Sequence, residues 1–330
     1  MVSSWPSASV VIPTFNRLDD LKRVVHAIGE QYRPDDAEVE LVVVDDGSTD
    51  GSGEWLRAEQ EAGRLTALRQ ENAGPARARN RGVNRARGEL ILFLGDDTVP
   101  QDGWLLAHLE EHRRADESGP IAVLGYTSFP ADCDSPFLRF INEHGAQFGY
   151  QLIDDPLDVP FNFFYTSNIS MSRQRMIDLG GFREDFPSAA WEDIEFSYRA
   201  ASAGLRLRYQ PRARVLHYHR IQARTFCRRQ RTSGRSAAIF ARLHPELEDF
   251  LGIGRLASLP PLPPLHLAAL QLLVDIGERL PVPIPHGLYQ RYLDIGYLQG
   301  LAEGLQAPVV EVQHADTAMP PDGRGVDRGV

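Results

Sequence analysis

Short apolar runs broken by polar turns set the rhythm of the first third of the chain. Residues 8–12 (ASVVI) and 39–44 (VELVVV) are β-branched and each gives way to polar or turn residues, the pattern of strands buried on both faces of a parallel sheet. Between them Leu21, Val24, Val25 and Ile28 recur at i, i+3, i+4 and i+7, an amphipathic helical stripe, with Asn16 placed to cap it and Asp19 three residues on. Strand, helix and strand in this order predict a βαβ unit. A second short helix is expected around Trp55 and Leu56, and a third, rich in small residues and arginine, from Gly74 to Gly88. ELILFL at 89–94 is the next strand.

Past residue 98 the pattern changes. The runs at 121–129 and 159–168 read as mixed strands among longer loops, where surface chemistry concentrates. Ile194, Tyr198 and Ala201 mark a helix after Trp191, and 205–209 and 213–217 read as two strands around a turn at Pro211. Residues 222–251 read as helical. LPPLPPL at 259–265 is a proline hinge, with helices expected near 266–279 and 286–304 and a disordered tail over the last 20 or so residues. Tyr289, Tyr292, Tyr297 and Leu298 mark a face of the last helix that packs or dimerises.

Composition narrows the class. With 330 residues, 42% of them hydrophobic, the chain has enough apolar material for a core, so global disorder is excluded. The formal charge of −10 argues against a nucleic-acid partner. That sum hides a segregation: residues 206–235 hold ten arginines and no Asp or Glu, so the other 300 residues stand at −20. The basic segment suits an anionic ligand, and with Leu265, Leu267, Leu270 and Val274 it could dock on anionic lipid. MVSSWPSASVV does not read as a secretory signal, and no apolar stretch approaches the roughly 20 residues of a membrane span. The expectation is a cytoplasmic protein, in contact at most with the inner face of the membrane. Cys133 and Cys227 have no CxxC spacing and read as isolated buried thiols.

In open α/β sheets ligands bind beyond the carboxyl ends of the strands. Three such ends carry chemistry here: Pro13, Thr14, Phe15, Asn16 and Arg17; then Asp45, Asp46, Gly47, Ser48, Thr49 and Asp50; then Gly95, Asp96 and Asp97. One DDGSTD segment could be a turn with a helix cap, but three acidic or amide clusters on neighbouring strands are more than turns require. Adjacent carboxylates repel and call for a cation, and hard oxygen ligands suit Mg²⁺ or Mn²⁺. GxxxxGK[ST], a strand-following GxGxxG, HExxH and GxSxG are all absent, which excludes a P-loop, a dinucleotide fingerprint, a zincin and a nucleophile elbow.

The ordered set VVIPTFNR, VVVDDGSTDGS, NAGPARARNRG, GELILFLGDD, TSNISMSR, LGGFRE, WEDIEFSYRAASAG and a strand ending in His217 resembles family 2 glycosyltransferases over about residues 8–220. The resemblance implies an α/β, GT-A fold: a Rossmann-like, mostly parallel central sheet flanked by helices, here with a C-terminal helical extension. It divides the chain into a nucleotide-binding half (1–98), an acceptor-binding half (99–221), the extension (222–310) and the tail (311–330). It implies transfer of a sugar from a nucleotide-diphosphate donor, with inversion, a divalent metal (Mn²⁺ or Mg²⁺), and a carbohydrate, lipid-linked or small-molecule acceptor.

Carried over residue by residue, the resemblance places Pro13, Thr14, Asn16 and Arg17 against the base and ribose of the donor, Asp46 on the base, and Arg79 and Asn80 near the nucleotide. The family's Asp-x-Asp metal motif reads Gly95, Asp96, Asp97 here, so Asp97 keeps a ligand position, Asp96 reaches ribose or metal, and His217 is a candidate third ligand. Asp193 of the WED segment is the expected general base, with Glu192 orienting the acceptor and Asn168 and Trp191 lining its side of the cleft. Arg220 or Arg224 would stabilise the leaving diphosphate. No second carboxylate presents itself as the nucleophile of a retaining reaction, which favours inversion. A sugar-phosphate nucleotidyltransferase and a non-catalytic nucleotide- or sugar-binding module are the alternatives, the second because of Gly95.

Overall fold

The computed structural model describes residues 5–115, 119–131, 135–143, 147–186, 188, 190–219, 221–258, 264–280 and 284–307. β1 (Ala8–Thr14), β2 (Val39–Asp45), β3 (Thr66–Arg69) and β4 (Leu90–Leu94) pair in parallel in the order β3-β2-β1-β4, linked by α1 (Leu18–Gly29), α2 (Ser52–Glu61) and α3 (Pro75–Arg85). Successive strand residues face opposite sides, which is why these runs are continuously apolar. Val10 and Ile12 join Leu21, Val24 and Ile28 of α1 on one face, and Val11 joins Ala76 and Val83 of α3 on the other.

Asn16 does not cap α1. It has a left-handed φ of 54°, and its Oδ1 accepts from Thr49 N at 2.7 Å. The orphan amide of Leu18 donates instead to Asp50 Oδ2 at 2.9 Å, so the helix start is capped by the loop after β2. This pins two strand ends together at the edge of the site.

Beyond β4 the sheet turns mixed. β5 (Thr98–Pro100), β6 (Ile121–Ser128), β7 (Asn168–Ser172) and β8 (Arg206–His217) complete, among the described residues, an eight-stranded sheet ordered β3-β2-β1-β4-β7-β6-β8-β5. β7 is antiparallel to β4 and β6, β5 is antiparallel to β8, and β6 is parallel to β8. Four of the seven pairs are thus parallel, the three at the N-terminal end and β6–β8. A helix not anticipated from the sequence, α4 (Trp104–Ala115), seals this half: Trp104, Leu105 and Leu109 pack with Leu92, Leu94, Ala213 and Val215. The aromatic run at 159–168 is mostly a loop with one 3₁₀ turn at Phe161–Phe163.

Pro211 interrupts a strand without ending it. Gln210 pairs with Gly125 and Arg214 with Tyr126, so residues 211–213 bulge out and β8 continues to His217. A bulge accommodates a residue without an N–H and leaves backbone groups to be satisfied from elsewhere.

After β7 come α6 (Arg173–Asp178) and α7 (Glu192–Ser202). α5 (Pro136–Glu143), α8 (Ala223–Leu243), α9 (Arg255–Ser258), α10 (Pro264–Arg279) and α11 (His286–Gln306) form the helical side. α8 stops at Leu243, two residues before Pro245, short of the predicted 251. α11 lies tightly on α8: a Cβ at Gly300 would stand 1.8 Å from Arg231 O, and one at Gly234 2.0 Å from Tyr297 O. Tyr289, Tyr292 and Leu298 are buried and the Tyr297 hydroxyl donates to Leu251 O, so the tyrosine face packs within the chain. Leu270 and Val274 are buried too, whereas Leu272, Leu273 and Ile276 are exposed. Cys227 is half-buried with its thiol on Tyr292 O; Cys133, residues 311–330 and the side chains of Leu265 and Leu267 lie outside the described residues. No helix among the described residues is long and apolar enough to cross a membrane.

Candidate active site

The strand ends anticipated as acidic do converge. Thr14 Oγ1, at the end of β1, donates to Asp96 Oδ2 at 2.9 Å, and the Arg17 guanidinium meets Asp97 Oδ2 and lies 3.7 Å from Asp96 Oδ1. The antiparallel register of β5 on β8 sets Thr98 opposite His217, and His217 Nε2 comes within 3.2 Å of Asp97 Oδ2. Phe129 and His219 flank the His217 ring at 5.5 and 5.7 Å, and His217 Nδ1 is buried without a partner among the described residues.

Burial works against ionisation of Asp97, but the hydrogen bond and charge of His217, with Arg17, outweigh it and hold the carboxyl well below the usual range. Its neighbour goes the other way. Burial pushes Asp96 up to about 6, against the pull of Arg17 and with the help of the Asp97 charge.

Asp46 is deeply engaged. Its carboxylate accepts from Gln70 Nε2, Ala73 N and Gly74 N at 2.8–2.9 Å, closing the loop before α3. A carboxylate has about four acceptor directions, so one is left for a base N–H. Asp45 is tied to Ser48 N and to Arg69.

On the other side, Glu192 and Asp193 open α7. Glu192 is buried and ion-paired to Arg79 at 2.8 Å, and Glu192 Oε2 and Arg79 Nε have no hydrogen-bond partner among the described residues. Asp193 is half-exposed; its Oδ1 accepts from Ile194 N at 2.9 Å and its Oδ2 from Thr166 N and Oγ1 at 3.5 and 3.4 Å. Burial raises the Asp193 pKa and the Glu192 charge adds to it, against Arg79. Residues 166 and 167 join the two acidic pairs: Thr166 touches Asp193, while Ser167 O accepts from Gly95 N and Thr98 Oγ1 beside Asp96 and Asp97.

Several expected site residues serve the framework instead. Asn168 is wholly buried, so it does not line the acceptor side: its Nδ2 donates to Ala213 O and Tyr126 O, carbonyls around the β8 bulge, and its Oδ1 meets Trp104 Nε1 and His108 Nε2. A Cβ at Gly125 would stand 2.3 Å from that amide, which explains the glycine opposite it. Glu192 is ion-paired with Arg79. Arg79 holds Glu192, and Asn80 clasps Phe182 N and O and Glu184. Trp191, at a left-handed φ of 74°, lays its indole on α8, with Nε1 donating to Ser233 O at 3.0 Å and the ring 5.8 Å from Phe240. Arg224 pairs with Asp275 at 2.5 Å on the helical side, and Arg220 lies outside the described residues. Pro13 is half-buried at the end of β1.

Among the described residues, the acids after β4 offer a divalent cation one or two ligands and not three. Two carboxylates and an imidazole adjoin, and a cationic group, Arg17, already lies against both acids. No three His, Cys, Asp or Glu side chains among the described residues close into a cage, which matches hard cations that take one or two carboxylates and complete their shell with substrate phosphate. A Cβ at Gly95 would stand 3.1 Å from Asp97 Oδ1 and Thr98 Oγ1, so the glycine both withholds a ligand and leaves Asp97 room.

Comparison with known proteins shows the family and the fold. The family model for glycosyl transferase family 2 matches residues 9–180. Similar relatives include the pre-mycofactocin glycosyltransferase of Mycobacterium tuberculosis, 29% identical over 280 residues (78% of this chain, 56% of the relative). The validoxylamine A glucosyltransferase of Streptomyces hygroscopicus subsp. limoneus is 29% identical over 231 residues (62% of this chain, 49% of the relative). The chain therefore spans about half the length of the curated relatives it matches. Among solved structures, the mannosyltransferase PcManGT of Pyrobaculum calidifontis, in complex with GDP-Man and Mn²⁺, superposes with a TM-score of 0.57 at 20% identity, covering 92% of this chain and 89% of that one. S. aureus TarS 1–349 in complex with UDP-GlcNAc gives 0.52 at 19%, covering 91% and 90%. These likenesses show the GT-A fold.

Proposed function

The chain belongs to glycosyl transferase family 2, and from that premise we propose that it moves a sugar from a nucleotide-diphosphate donor to an acceptor hydroxyl by a single, inverting displacement with Asp193 as general base. One observation carries the reading: Asp193, a half-exposed carboxylate of raised pKa, is joined through Thr166 and Ser167 to a second acidic pair that carries its own cation and imidazole. A base poised near neutrality suits proton removal from a hydroxyl.

Residues 1–98 would hold the donor, with Asp46 offering its remaining acceptor direction to the base and Pro13, Thr14, Asn16 and Arg17 bordering the ribose. Residues 99–221 would present the acceptor to Asp193. The acceptor O–H gives its proton to Asp193 while its oxygen bonds the anomeric carbon and the anomeric C–O bond to phosphate breaks. Glu192 keeps its charge on Arg79 and biases Asp193 toward holding a proton. A divalent metal on Asp97, with Asp96 or His217 beside it and the diphosphate completing its shell, would neutralise diphosphate charge. Metal use is supported by the Mn²⁺ in the PcManGT complex.

A thermal-shift screen of UDP, GDP and their sugar conjugates, with and without Mn²⁺, tests the reading. Metal-dependent stabilisation by a nucleotide sugar, followed by release of the nucleoside diphosphate on adding acceptor, is the expected result. Pyrophosphate release from a nucleoside triphosphate and a sugar phosphate would make the protein a nucleotidyltransferase, and donor binding without any turnover would make it a binding module.

A further inference from the structure

α4 sends two histidines, His108 and His112, against β7. His108 is wholly buried, as are Trp104, Asn168 and Ser170 around it. Burial pushes His108 down to about 4, and burial beside His108 pushes His112 down to about 3, so both imidazoles are neutral near pH 7.

A neutral imidazole has one donor and one acceptor, and here the assignment is forced. Asn168 Nδ2 lies 2.8 Å from Ala213 O and 3.2 Å from Tyr126 O, both acceptors, while Trp104 Nε1, which can only donate, lies 2.7 Å from Asn168 Oδ1. Oδ1 therefore accepts, and His108 Nε2, 3.1 Å away, must donate to it. His108 Nδ1 is then the acceptor, and the Ser170 hydroxyl donates to it at 2.8 Å. That hydroxyl has used its hydrogen and accepts in turn from His112 Nε2 at 2.8 Å. Donation runs one way, from His112 through Ser170 and His108 to the Asn168 amide.

The amide stands where three parts of the site are delivered. The Asn168 backbone pairs with Leu94 at the end of β4, directly before Gly95. Just ahead of it in the chain, Ser167 O accepts from Gly95 N and Thr98 Oγ1, and Thr166 donates to Asp193 from N and Oγ1. Its side chain reaches across to the bulge in β8, the strand that ends in His217.

We propose that His108, acting through Asn168, is a positioning residue for both acidic pairs: its Nε2–H fixes the plane of the Asn168 amide, and the amide fixes the 166–167 bridge and the bulge ahead of His217. The bearing of this on turnover rests on the glycosyl-transfer reading above. Apolar packing holds α4 on the sheet but does not set the rotation of an amide. With leucine at 108, Oδ1 keeps Trp104 alone and the amide can turn away from its two carbonyls. Thr166 then loosens from Asp193, which loses hydrogen bonds that favour its carboxylate, and Ser167 O loosens from Gly95 and Thr98 beside Asp97. A displacement of about 1 Å is enough to slow a transfer step.

Two measurements on the full chain test the proposal without requiring sugar transfer. One is the titration of Asp193, followed by carboxyl-carbon NMR and assigned with Asp193→Asn; the other is calorimetric titration of UDP and GDP with Mn²⁺. His108→Leu is expected to raise the Asp193 midpoint by about half a pH unit and to weaken Mn²⁺-dependent nucleotide binding about fivefold. His108→Gln, whose amide N–H can reach Oδ1, should restore most of both. Ser170→Ala, which takes the donor from His108 Nδ1, should move both less and in the same direction, and it serves if His108→Leu does not fold. Leu109→Ala opens a cavity on the apolar face of the same helix, so it should lower the unfolding temperature and leave both readouts at wild type. Either readout unmoved in both His108→Leu and Ser170→Ala, or moved as far by Leu109→Ala, overturns the role of His108. A wild type that binds no nucleoside diphosphate would sink the transfer reading, while the Asp193 titration would still decide for or against His108.

Discussion

Two pairs of adjacent acids, Asp96 with Asp97 and Glu192 with Asp193, meet the same electrostatic problem with different partners. In each, one member is matched to a cation and the other is driven toward its protonated form. Asp97 has Arg17 and His217, and Asp96 rises to about 6. Glu192 has Arg79, and Asp193 rises. The difference lies in exchangeability. Glu192 is buried and Arg79 half-buried, and each carries a polar atom without a partner among the described residues, so their pair is a fixed bias on Asp193. Arg17 is about a third exposed and can leave Asp97 when another cation arrives. Under the proposed function, like charges side by side would serve as a proton acceptor in one place and a cation site in the other, according to whether the matching cation is locked in.

The sharpest way to break the comparison is Asp193→Asn. Removing a general base costs about 10²–10⁴-fold in turnover, and donor affinity should be retained. A carboxyl whose pKa is higher folded than unfolded binds its proton more tightly in the native state, so stability falls as pH rises through that interval. Asp193→Asn removes that penalty. The variant should melt higher than the wild type at pH 8, with the gap closing on acidification, as followed by thermal unfolding across pH.

Glu192→Gln gives a smaller effect. It deletes the charge that helps raise Asp193 and leaves Arg79 to favour the carboxylate, so the acidic limb of the kcat/KM profile should move to lower pH. A limb that stays fixed would mean that the base is another group.

The least effect is expected at the other pair. Thr14→Val removes one hydrogen bond to Asp96, about 1 kcal/mol, and should weaken Mn²⁺-dependent nucleotide binding roughly fivefold in a calorimetric titration while leaving the Asp193 profile in place.

Much of this was legible along the chain. The first four strands, the helices between them and the acids at their ends were readable because burial on both faces writes itself as an apolar run and turns write themselves as Asp, Gly and Ser. His217 beside Asp97 was anticipated from the resemblance, and the register of β5 on β8 accounts for it physically. The errors share a cause. The resemblance placed Asn168 on the acceptor side; what claims it is a bulge in β8 whose carbonyl at Ala213 lies 45 residues away. The resemblance put Arg79 and Asn80 near the nucleotide; the partners that hold them, Glu192 and Phe182, are 113 and 102 residues on. The second half was harder because its strands alternate direction and its aromatic run mixes a loop with core.

By itself the sequence determined which residue types stand at the strand ends and which faces must be buried, since periodicity and turn chemistry act over a few residues. Tertiary structure alone decided which carboxylates stand beside a cation, which amide disappears into the sheet, and which of the described arginines between 206 and 235 meet a carboxylate. Those outcomes depend on hydrogen-bond and ion-pair geometry over a few ångströms between groups far apart in the chain, and no local pattern encodes that distance.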